Sequence, residues 1–438
     1  MYILRKADSE LEKWKAESKH KPLLVRGARQ VGKTKTIREF GKKFHHFIEI
    51  NFEESPRLKA LFSDELSPAT ICENIAAIYK TNIIPGKTLL FLDEIQECQE
   101  AIASLRFFYE KMPGLHIIAA GSLLEFALSE MPTFGVGRIR SLFMYPLSFP
   151  EFLAGAGELK LLNKVREAKP TQPMNEVLHA RLIELIQKFI CLGGMPEVIA
   201  TYIETGDLYQ CQQLLDDLII SIKADFTKYR KRIPVSRLNE VFRAVVFQAG
   251  QKFVYSKACT HANHNQIKEA LQLLTTAGLV IPVTHSSANG ILLGAGANPQ
   301  KQKMLVYDTG IFQRIMGLDL ADFLLSKKFD AINKGNLSEQ FVGLELIKSE
   351  SCYQNPSLYY WHREARNSNA EVDYVIPISQ EIVPVEVKAG TKGSMQSLFL
   401  FLQEKNLQKG IRISNENFSV YDTIEVYPLY AVENLKAR

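Results

Sequence analysis

Apolar and polar positions in the first third of the chain fall into two kinds of run. Apolar runs typical of buried strands are HFIEINF (46–52), TLLFLD (88–93) and LHIIAAGS (115–122), and runs with helical periodicity cover 57–63, 69–80 and 100–111. Strands that alternate with helices along a chain form parallel sheets, because each helix returns the chain across the sheet. The pattern therefore predicts a parallel sheet with crossover helices.

The middle of the chain is predicted to be mainly helical. The polar, proline-containing stretch 158–176 predicts an interdomain linker or a surface loop. Within 236–285, two helical segments lead into NQIKEALQLLTTAGLVIPVT (265–284), where a helix ends at Gly278 and a strand follows directly. This order is typical of a winged helix. A packing role is at least as good an interpretation as DNA reading, since the helix carries Lys268 as its only basic residue.

Near the C-terminus, apolar and polar positions alternate through two runs, in EVDYVIPISQEIVPVEVKAG (371–390). This alternation predicts two strands joined by a turn at ISQE. Because successive side chains of a strand point to opposite faces, Glu371 and Asp373 share one face of the first strand. Glu386 and Lys388 share one face of the second strand for the same reason. The pattern leaves two alternatives open: a solvated edge, or a site for a metal ion.

Composition sets only broad limits. The chain has 438 residues, of which 46% are hydrophobic and 23% charged, as expected for a globular protein of several domains. A net charge of +5 permits a DNA partner without requiring one. The six cysteines form no C-x-x-C pair, and no apolar run reaches the roughly 18 residues of a membrane helix. We therefore expect a cytoplasmic protein with reduced thiols and no membrane partner.

A phosphate-binding motif lies between a short apolar run and a helical run. The motif G-x-x-x-x-G-K-T is formed by Gly27, Ala28, Arg29, Gln30, Val31, Gly32, Lys33 and Thr34. In such loops the backbone N–H groups converge on the phosphates, the lysine reaches the β and γ phosphates, and the threonine hydroxyl ligates Mg²⁺. The segment therefore predicts binding of ATP together with Mg²⁺.

A second motif complements the phosphate-binding loop. The run TLLFLDE (88–94) predicts a strand that is buried on both faces and ends in two acids. Asp93 is expected to hold Mg²⁺ and Glu94 to polarise the attacking water, which favours hydrolysis. Ser122 follows the next strand, where an open α/β sheet places its ligand. We interpret Ser122 as a γ-phosphate sensor, with an ordinary helix N-cap as the equal alternative.

Several motifs together resemble a known family. VRGARQVGKT, LLFLDEIQE, AAGS, GRIRSLFMYPLSFPEF, GGMPEV and LVYDTGIFQRIMG are similar, in this order, to prokaryotic AAA-plus-type ATPases fused to domain of unknown function 4143. The resemblance covers the whole chain. It implies an ATPase, and a C-terminal region similar to restriction-endonuclease-like, PD-(D/E)XK-type folds. Biological roles in this family are mostly unassigned.

The resemblance also draws attention to two arginines. Arg138 and Arg140 lie in GVGRIRS, where related ATPases present an arginine to nucleotide bound by a neighbouring subunit. A guanidinium there neutralises charge on the γ-phosphate, and hydrolysis would then require a homo-oligomer. The alternative is a pair of solvated arginines beside a strand.

A nuclease of the restriction-endonuclease type needs carboxylates for Mg²⁺ and a lysine to orient the attacking water. Asp373, Glu386 and Lys388 fit the pattern D-x₁₂-E-x-K, although Val372 stands where proline often precedes the first acid. The family resemblance adds Glu339 on an upstream helix. The alternative is structural: Glu339 has capping-box-like spacing from Asn336, and Glu-x-Lys is common on exposed strands.

Together these features predict an α/β multidomain protein. The predicted segments are a P-loop ATPase domain (1–150), a helical region (151–235), a winged-helix-like region (236–318) and a nuclease-like domain (319–438). One hypothesis is an oligomeric ATPase whose nucleotide state controls a Mg²⁺-dependent nuclease acting on DNA. The alternative keeps the ATPase and treats the nuclease-like fold as an inert module that binds DNA or protein, or serves assembly.

Overall fold

The parallel sheet predicted for the first third of the chain is confirmed in the computed structural model. That structure describes residues 1–62, 67–130, 137–229, 233–320, 334–364, 369–390 and 394–436. The chain divides into two compact units. The N-terminal unit comprises Leu4–Tyr145 and Ser351–Asn355, and the C-terminal unit comprises Met1–Ile3, Pro146–Glu350 and Pro356–Arg438.

Among its described residues, the N-terminal unit contains five strands and five α-helices. The strands are β1 (Leu23–Arg26), β2 (His46–Asn51), β3 (Thr88–Asp93), β4 (His116–Ala120) and β5 (Arg140–Phe143). The helices are α1 (Lys6–Ala16), α2 (Lys33–Gly41), α3 (Pro68–Tyr79), α4 (Gln99–Lys111) and α5 (Leu124–Glu130), with 3-10 turns at Pro56–Phe62 and Ile95–Glu97. The helical run predicted at 57–63 is thus a 3-10 turn, and residue 63 lies outside the described residues.

The sheet of the N-terminal unit has the order β2-β3-β4-β1-β5, and every neighbouring pair is parallel. All residues of β3 and β4 are buried, because helices cover both faces of these central strands. Since β3, β4 and β1 are neighbours, the segments that follow their carboxyl ends lie along one edge of the sheet. The phosphate-binding motif, Glu94 and Ser122 all follow these ends.

In the described residues of the C-terminal unit, ten α-helices are present. They are α6 (Phe149–Gly155), α7 (Leu159–Glu167), α8 (Glu176–Leu192), α9 (Pro196–Thr205), α10 (Leu208–Asp225), α11 (Val235–Phe247), α12 (His264–Thr276), α13 (Thr309–Ile315), α14 (Lys334–Ser349) and α15 (Gln396–Lys405). Short 3-10 turns lie at Phe226–Tyr229, Tyr255–Lys257, Leu293–Gly296 and Leu429–Leu435.

The polar stretch 158–176 is only in part the loop that its composition predicts. Its first half forms α7, which buries Leu161, Leu162 and Val165 within the C-terminal unit. These three apolar residues share one helix face, and their burial outweighs the polar character of the remaining positions. The linker prediction was therefore wrong for this half.

A mixed sheet of eight strands forms the centre of the C-terminal unit. Its strands are β6 (Val280–Ser286), β7 (Ala297–Val306), β8 (Leu358–His362), β9 (Glu371–Ile378), β10 (Glu381–Val387), β11 (Gly410–Ser414), β12 (Ser419–Tyr421) and β13 (Ile424–Pro428). Their order is β12-β13-β11-β10-β9-β8-β6-β7. The predicted C-terminal hairpin is confirmed as β9 and β10, which pair antiparallel. Ser379 and Gln380 form its turn with φ angles of 48° and 67°.

The sheet also joins two segments, 236–318 and 319–438, that were predicted to form separate regions. Helix α12 is followed directly by β6, and β6 forms a hairpin with β7, in the predicted order of helix and strand. Strand β6 then pairs in parallel with β8, through Val283 and Leu358. Strands from 236–318 and from 319–438 therefore share one sheet within one unit. No described helix combines the length and apolar character needed to cross a membrane.

Candidate functional site

The phosphate-binding motif forms the connection between β1 and α2. Gly27, Gln30 and Gly32 have φ angles of 141°, 64° and 96°, which lie in the region where glycine is favoured. A Cβ atom at Gly27 would lie 2.1 Å from the carbonyl oxygen of Met144, so the backbone itself fills this space. The loop therefore has the tight backbone that phosphate cradles need.

Lys33 is the first residue of α2 and is buried, with 7% of its surface exposed. Its Nζ donates hydrogen bonds of 2.8 Å to the carbonyl oxygens of Gly27 and Ala28. Burial lowers the pKa of Lys33 to about 8, although the nearby charges of Glu94 and Asp93 act in the opposite direction. The ammonium group thus lies inside the loop, where a phosphate would raise its pKa again.

Thr34 and Asp93 lie together next to this lysine. The Thr34 hydroxyl donates a hydrogen bond of 3.0 Å to Oδ2 of Asp93. Burial, with the charge of Glu94 second, raises the pKa of Asp93 to about 6. A hydroxyl and a carboxylate oxygen are hard donors, and two such ligands suit Mg²⁺, which keeps several of its waters. These two residues fit a magnesium ion.

The structure brings Glu94 and Ser122 into direct contact. Oε2 of Glu94 accepts hydrogen bonds from the backbone N–H of Ser122 at 3.1 Å and from its hydroxyl at 3.0 Å. Gln96 donates a third, of 2.6 Å, to the same oxygen. Burial raises the pKa of Glu94, but the bonds from Gln96 and Ser122 outweigh it, so the net pKa lies below its ordinary value. Glu94 is therefore ionised and oriented.

Two further residues near the loop were missed in the sequence. Gln96, which orients Glu94, follows it by two positions, and its only signal is its place in LDEIQE. Arg26, the last residue of β1, donates through Nε to Glu125 of α5 at 2.5 Å, and a second contact completes a bidentate pair. No local pattern indicates this pair, because its members are 99 residues apart.

Arg138 and Arg140 do not join the group around Lys33. The Arg138 guanidinium pairs with Glu110 of α4 at the surface. Arg140 pairs with Glu17 at 2.6 Å, and its guanidinium carbon lies 5.3 Å from the ring centroid of Tyr353. Both pairs lie within the N-terminal unit. The structure thus places both arginines in ion pairs, that of Arg138 exposed and that of Arg140 partly buried.

A second group of charged residues lies in the C-terminal unit. Oδ2 of Asp373 accepts a hydrogen bond of 2.8 Å from the backbone N–H of Val387, the residue after Glu386. Nζ of Lys388 lies 2.5 Å from Oε1 of Glu386. Oε2 of Glu386 is buried and has no hydrogen-bond partner among the described residues. Burial first, and the charge of Asp373 second, raise the pKa of Glu386 to about 7.

Lys303 of β7 completes this group, and sequence reasoning missed it. Its Nζ lies 2.8 Å from Oε1 of Glu339, 2.5 Å from Oε1 of Glu371 and 3.7 Å from Oδ1 of Asp373. Burial lowers the pKa of Lys303, but these carboxylates outweigh it and raise the pKa above its ordinary value. Burial also raises the pKa of Glu339, to about 8, against the effect of Lys303.

The arrangement around Lys303 does not fit the Mg²⁺ that a nuclease would need. The ammonium already contacts Glu339 and Glu371, and a divalent cation at the same carboxylates would be repelled by it. In the part of the chain that the structure describes, no group of three or more His, Cys, Asp or Glu residues is arranged to hold a metal ion. We name Lys303, Glu339, Glu371, Asp373, Glu386 and Lys388 the acid–lysine cluster.

Comparison with protein families divides the chain into three parts. Residues 19–153 match the family model of an AAA domain. Residues 183–322 match domain of unknown function 8612, and residues 334–432 match domain of unknown function 4143. The search of curated proteins gives no match. The winged-helix and nuclease-like identities of the C-terminal half therefore stay predictions.

The solved structures that match this chain are distant from it in sequence. A Walker-type ATPase of Pyrococcus abyssi is 16% identical, with a TM-score of 0.47, over 72% of this chain and 96% of that one. The ORC1 protein of Aeropyrum pernix, solved with DNA, is 13% identical with a TM-score of 0.27, over 75% and 95% of the two chains. Cdc6p of Pyrobaculum aerophilum is 12% identical with a TM-score of 0.24, over 73% and 92%. By these family models, the chain is similar to an AAA domain in its first third and to domain of unknown function 4143 at its C-terminus.

Proposed function

We propose that the N-terminal unit binds ATP with Mg²⁺ and hydrolyses it. One observation carries this proposal: the Thr34 hydroxyl and the Asp93 carboxylate meet at 3.0 Å beside the buried ammonium of Lys33. Lys33 would exchange its bonds to loop carbonyls for the β and γ phosphates, and the backbone amides of Gly27–Thr34 would surround them. Thr34 and Asp93 would hold Mg²⁺, which would supply positive charge against the negative charge that develops on the phosphates.

Glu94 is the residue we assign to activation of water. Its low pKa keeps it ionised at neutral pH, as a base must be. Its Oε2 accepts hydrogen bonds from Ser122 and Gln96, which fix its orientation. We assign Ser122, whose hydroxyl contacts Glu94, to sensing the γ-phosphate. The carboxylate then has a defined place relative to the water that attacks phosphorus.

The same proposal includes an arginine finger, that is, an arginine that contacts nucleotide bound by a neighbouring subunit. Arg138 is the better finger, because its pair with Glu110 is exposed and exposed ion pairs contribute little stability. Arg140 is half-buried and pairs with Glu17 at 2.6 Å beside the ring of Tyr353. Because the finger contacts nucleotide that is bound by a neighbouring subunit, the active form is a homo-oligomer, which we place in the cytoplasm.

ATP turnover and nucleotide binding by purified protein test this proposal together. We expect Lys33→Ala to abolish turnover, because the phosphates lose their buried counter-charge. The matched control is Lys35→Ala. It removes a lysine of the same helix that does not belong to the phosphate-binding motif. Absence of adenine-nucleotide binding by the wild type, measured by calorimetry, would refute the proposal.

For the C-terminal unit we propose a nuclease-like module without catalysis, which binds DNA or protein or serves assembly. The contacts of Lys303 with Glu339 and Glu371 support this choice, because they use the carboxylates that would hold a metal. The second candidate is a Mg²⁺-dependent nuclease on DNA, controlled by the nucleotide state. The proximity of Asp373, Glu386 and Lys388 favours it.

A plasmid-nicking assay separates these two candidates. Wild-type protein is incubated with supercoiled DNA and Mg²⁺ or Mn²⁺, with and without ATP, beside Asp373→Ala and Lys388→Ala. We expect no nicking above the level of these variants. Nicking by the wild type that both variants lose, with ATPase activity intact, would establish the nuclease and reject the inert module.

A further inference from the structure

The ammonium group of Lys303 lies where three elements meet. Lys303 is on β7, Glu339 on α14, and Glu371 and Asp373 on β9. Only 1% of the lysine surface is exposed, so water contributes little to its solvation. Its Nζ lies 5.3 Å from the ring centroid of Tyr360, which adds a weaker attraction to those of the carboxylates. The carboxylates are therefore the main stabilising partners of this charge.

The oxygen atoms around Lys303 are those that a hard divalent cation prefers. Glu339, Glu371 and Asp373 each direct one carboxylate oxygen towards Nζ, at 2.8, 2.5 and 3.7 Å. Beside them, Oε2 of Glu386 is buried and has no hydrogen-bond partner among the described residues, and Glu386 itself is 6% exposed. A buried carboxylate oxygen without a donor is costly, and a cation nearby would satisfy it.

Charge alone prevents the Lys303 ammonium and a divalent ion from lying among these carboxylates at the same time. Three carboxylates close together repel one another strongly unless a positive charge lies among them. The Lys303 ammonium supplies one positive charge without leaving the chain. A divalent ion would supply two, but it would need the same oxygen atoms and would be repelled by the ammonium. The lysine and the metal are thus competitors for one place.

We propose that Lys303 holds the place of a divalent cation, and that the acid–lysine cluster is a latent metal site closed by this internal counter-ion. With Lys303 among them these acids are not arranged to hold a metal ion. With the lysine charge removed, Glu339, Glu371 and Asp373 would be the ligands of a small, hard divalent cation such as Mg²⁺ or Mn²⁺. This inference extends the proposed absence of catalysis in the C-terminal unit. It explains that absence by the lysine and not by a lack of acids.

Removal of the lysine charge tests the inference directly. Mn²⁺ binding is measured by electron paramagnetic resonance and equilibrium dialysis on full-length protein without nucleotide. We expect no Mn²⁺ bound to the cluster in the wild type. Lys303→Met keeps most of the side-chain volume without the charge. This variant should bind one Mn²⁺ per chain, at least about a hundredfold more tightly than the wild type does. Lys303→Arg, which keeps the charge, should behave as the wild type does.

Second substitutions assign any Mn²⁺ to the cluster. Adding Asp373→Asn to Lys303→Met should abolish the new site, because one ligand becomes neutral. A folded Lys303→Met protein, verified by circular dichroism, that binds no Mn²⁺ would overturn the inference. So would a wild-type protein that binds Mn²⁺ and loses it on Asp373→Asn. This wild-type comparison remains decisive where Lys303→Met fails to fold.

ATP turnover on the same samples separates this inference from the proposed ATPase. A wild type without ATPase activity, together with the expected Mn²⁺ results, would reject only the proposed ATP hydrolysis. Normal turnover with Mn²⁺ bound at the wild-type cluster would reject only the counter-ion role of Lys303.

Discussion

The hydroxyl of Ser122 donates a hydrogen bond of 3.0 Å to Oε2 of Glu94, across a sequence separation of 28 residues. This contact links the end of β4 to the end of β3, two neighbouring strands of the parallel sheet. It places a hydroxyl beside the carboxylate that we assign to water activation. The serine is therefore in a position to couple the phosphate to the base.

Ser122→Ala tests this coupling. We expect kcat for ATP hydrolysis to fall roughly 10- to 100-fold, the effect of losing one hydrogen bond to a charged group, with little change in nucleotide affinity. Ser129→Ala on α5 is the matched control, because its hydroxyl donates a hydrogen bond to the carbonyl oxygen of Phe126 in its own segment of the chain. Steady-state turnover with calorimetric affinities gives both quantities. A kcat within twofold of the wild type would contradict the sensor role.

Glu94→Gln should separate binding from hydrolysis. The amide retains the shape of the side chain but cannot accept a proton, so we expect turnover to fall about 10²- to 10⁴-fold. Nucleotide affinity should remain, since Lys33 and the loop are unchanged. Glu97→Gln is the control: Glu97 is close in sequence, and its carboxylate pairs with Lys59 at 3.3 Å. Equal losses in both variants would indicate a general structural effect and reject the assignment of Glu94.

The sequence indicates most of the nucleotide site because its parts are local. The phosphate-binding loop is one continuous segment, and Asp93 and Glu94 end one buried strand, so the spacing itself determines their positions. The hairpin of β9 and β10 was predicted for the same reason, from alternation over a short range. Its acids were therefore identified correctly as neighbours.

Contacts between distant segments were beyond sequence reasoning. Lys303 precedes Glu339 by 36 residues and lies on a strand whose burial does not alternate regularly, so nothing in KQKMLV marks it. The parallel pairing of β6 with β8 is equally non-local, and it unites segments that composition separates. In both cases tertiary packing decides which side chains meet, and a single sequence contains no periodic signal for it.

Proton uptake on nucleotide binding should depend on Lys33. Its pKa of about 8 in the free protein means that the ammonium form predominates at pH 7 and the neutral form at pH 9. Phosphate charge raises this pKa, so we expect little proton uptake by Lys33 at pH 7 and nearly one proton per site at pH 9. Calorimetry of Mg·ATP binding in two buffers of different ionisation enthalpy measures it.

Lys33→Arg is the control for this pH dependence, because arginine stays protonated throughout. Where Lys33→Arg still binds nucleotide, the extra uptake at pH 9 should vanish. Uptake at pH 9 that equals uptake at pH 7 in the wild type would show that Lys33 is not the group with the lowered pKa.

Mixed oligomers test the arginine finger. An Arg138→Ala protomer retains its own Lys33 and lacks the finger, whereas a Lys33→Ala protomer retains the finger and binds no phosphate. We expect each variant alone to be inactive and their mixture to regain part of the ATPase activity, because each supplies what the other lacks. Arg106→Ala, which removes the other arginine partner of Glu110, is the control and should keep its activity. No recovery on mixing would reject a role across the interface.

Gly310 joins two of the motifs on which the family resemblance depends, GGMPEV and LVYDTGIFQRIMG. Asp308, immediately before α13, accepts hydrogen bonds from the backbone N–H groups of Gly194 at 2.7 Å and Ile311 at 3.0 Å. A Cβ atom at Gly310 would lie 2.2 Å from the carbonyl oxygen of Leu192, a backbone atom that cannot turn away.

Gly310→Ala should therefore destabilise the C-terminal unit by about 1–3 kcal/mol, the usual cost of overpacking a buried site. Gly290→Ala is the matched control, because a Cβ atom there has no neighbour within 4 Å. Urea unfolding followed by tryptophan fluorescence measures the difference, since Trp361 is buried in this unit. An unchanged unfolding midpoint for Gly310→Ala would mean that the two motifs do not need this close approach. Their spacing in the sequence would then require an explanation other than packing.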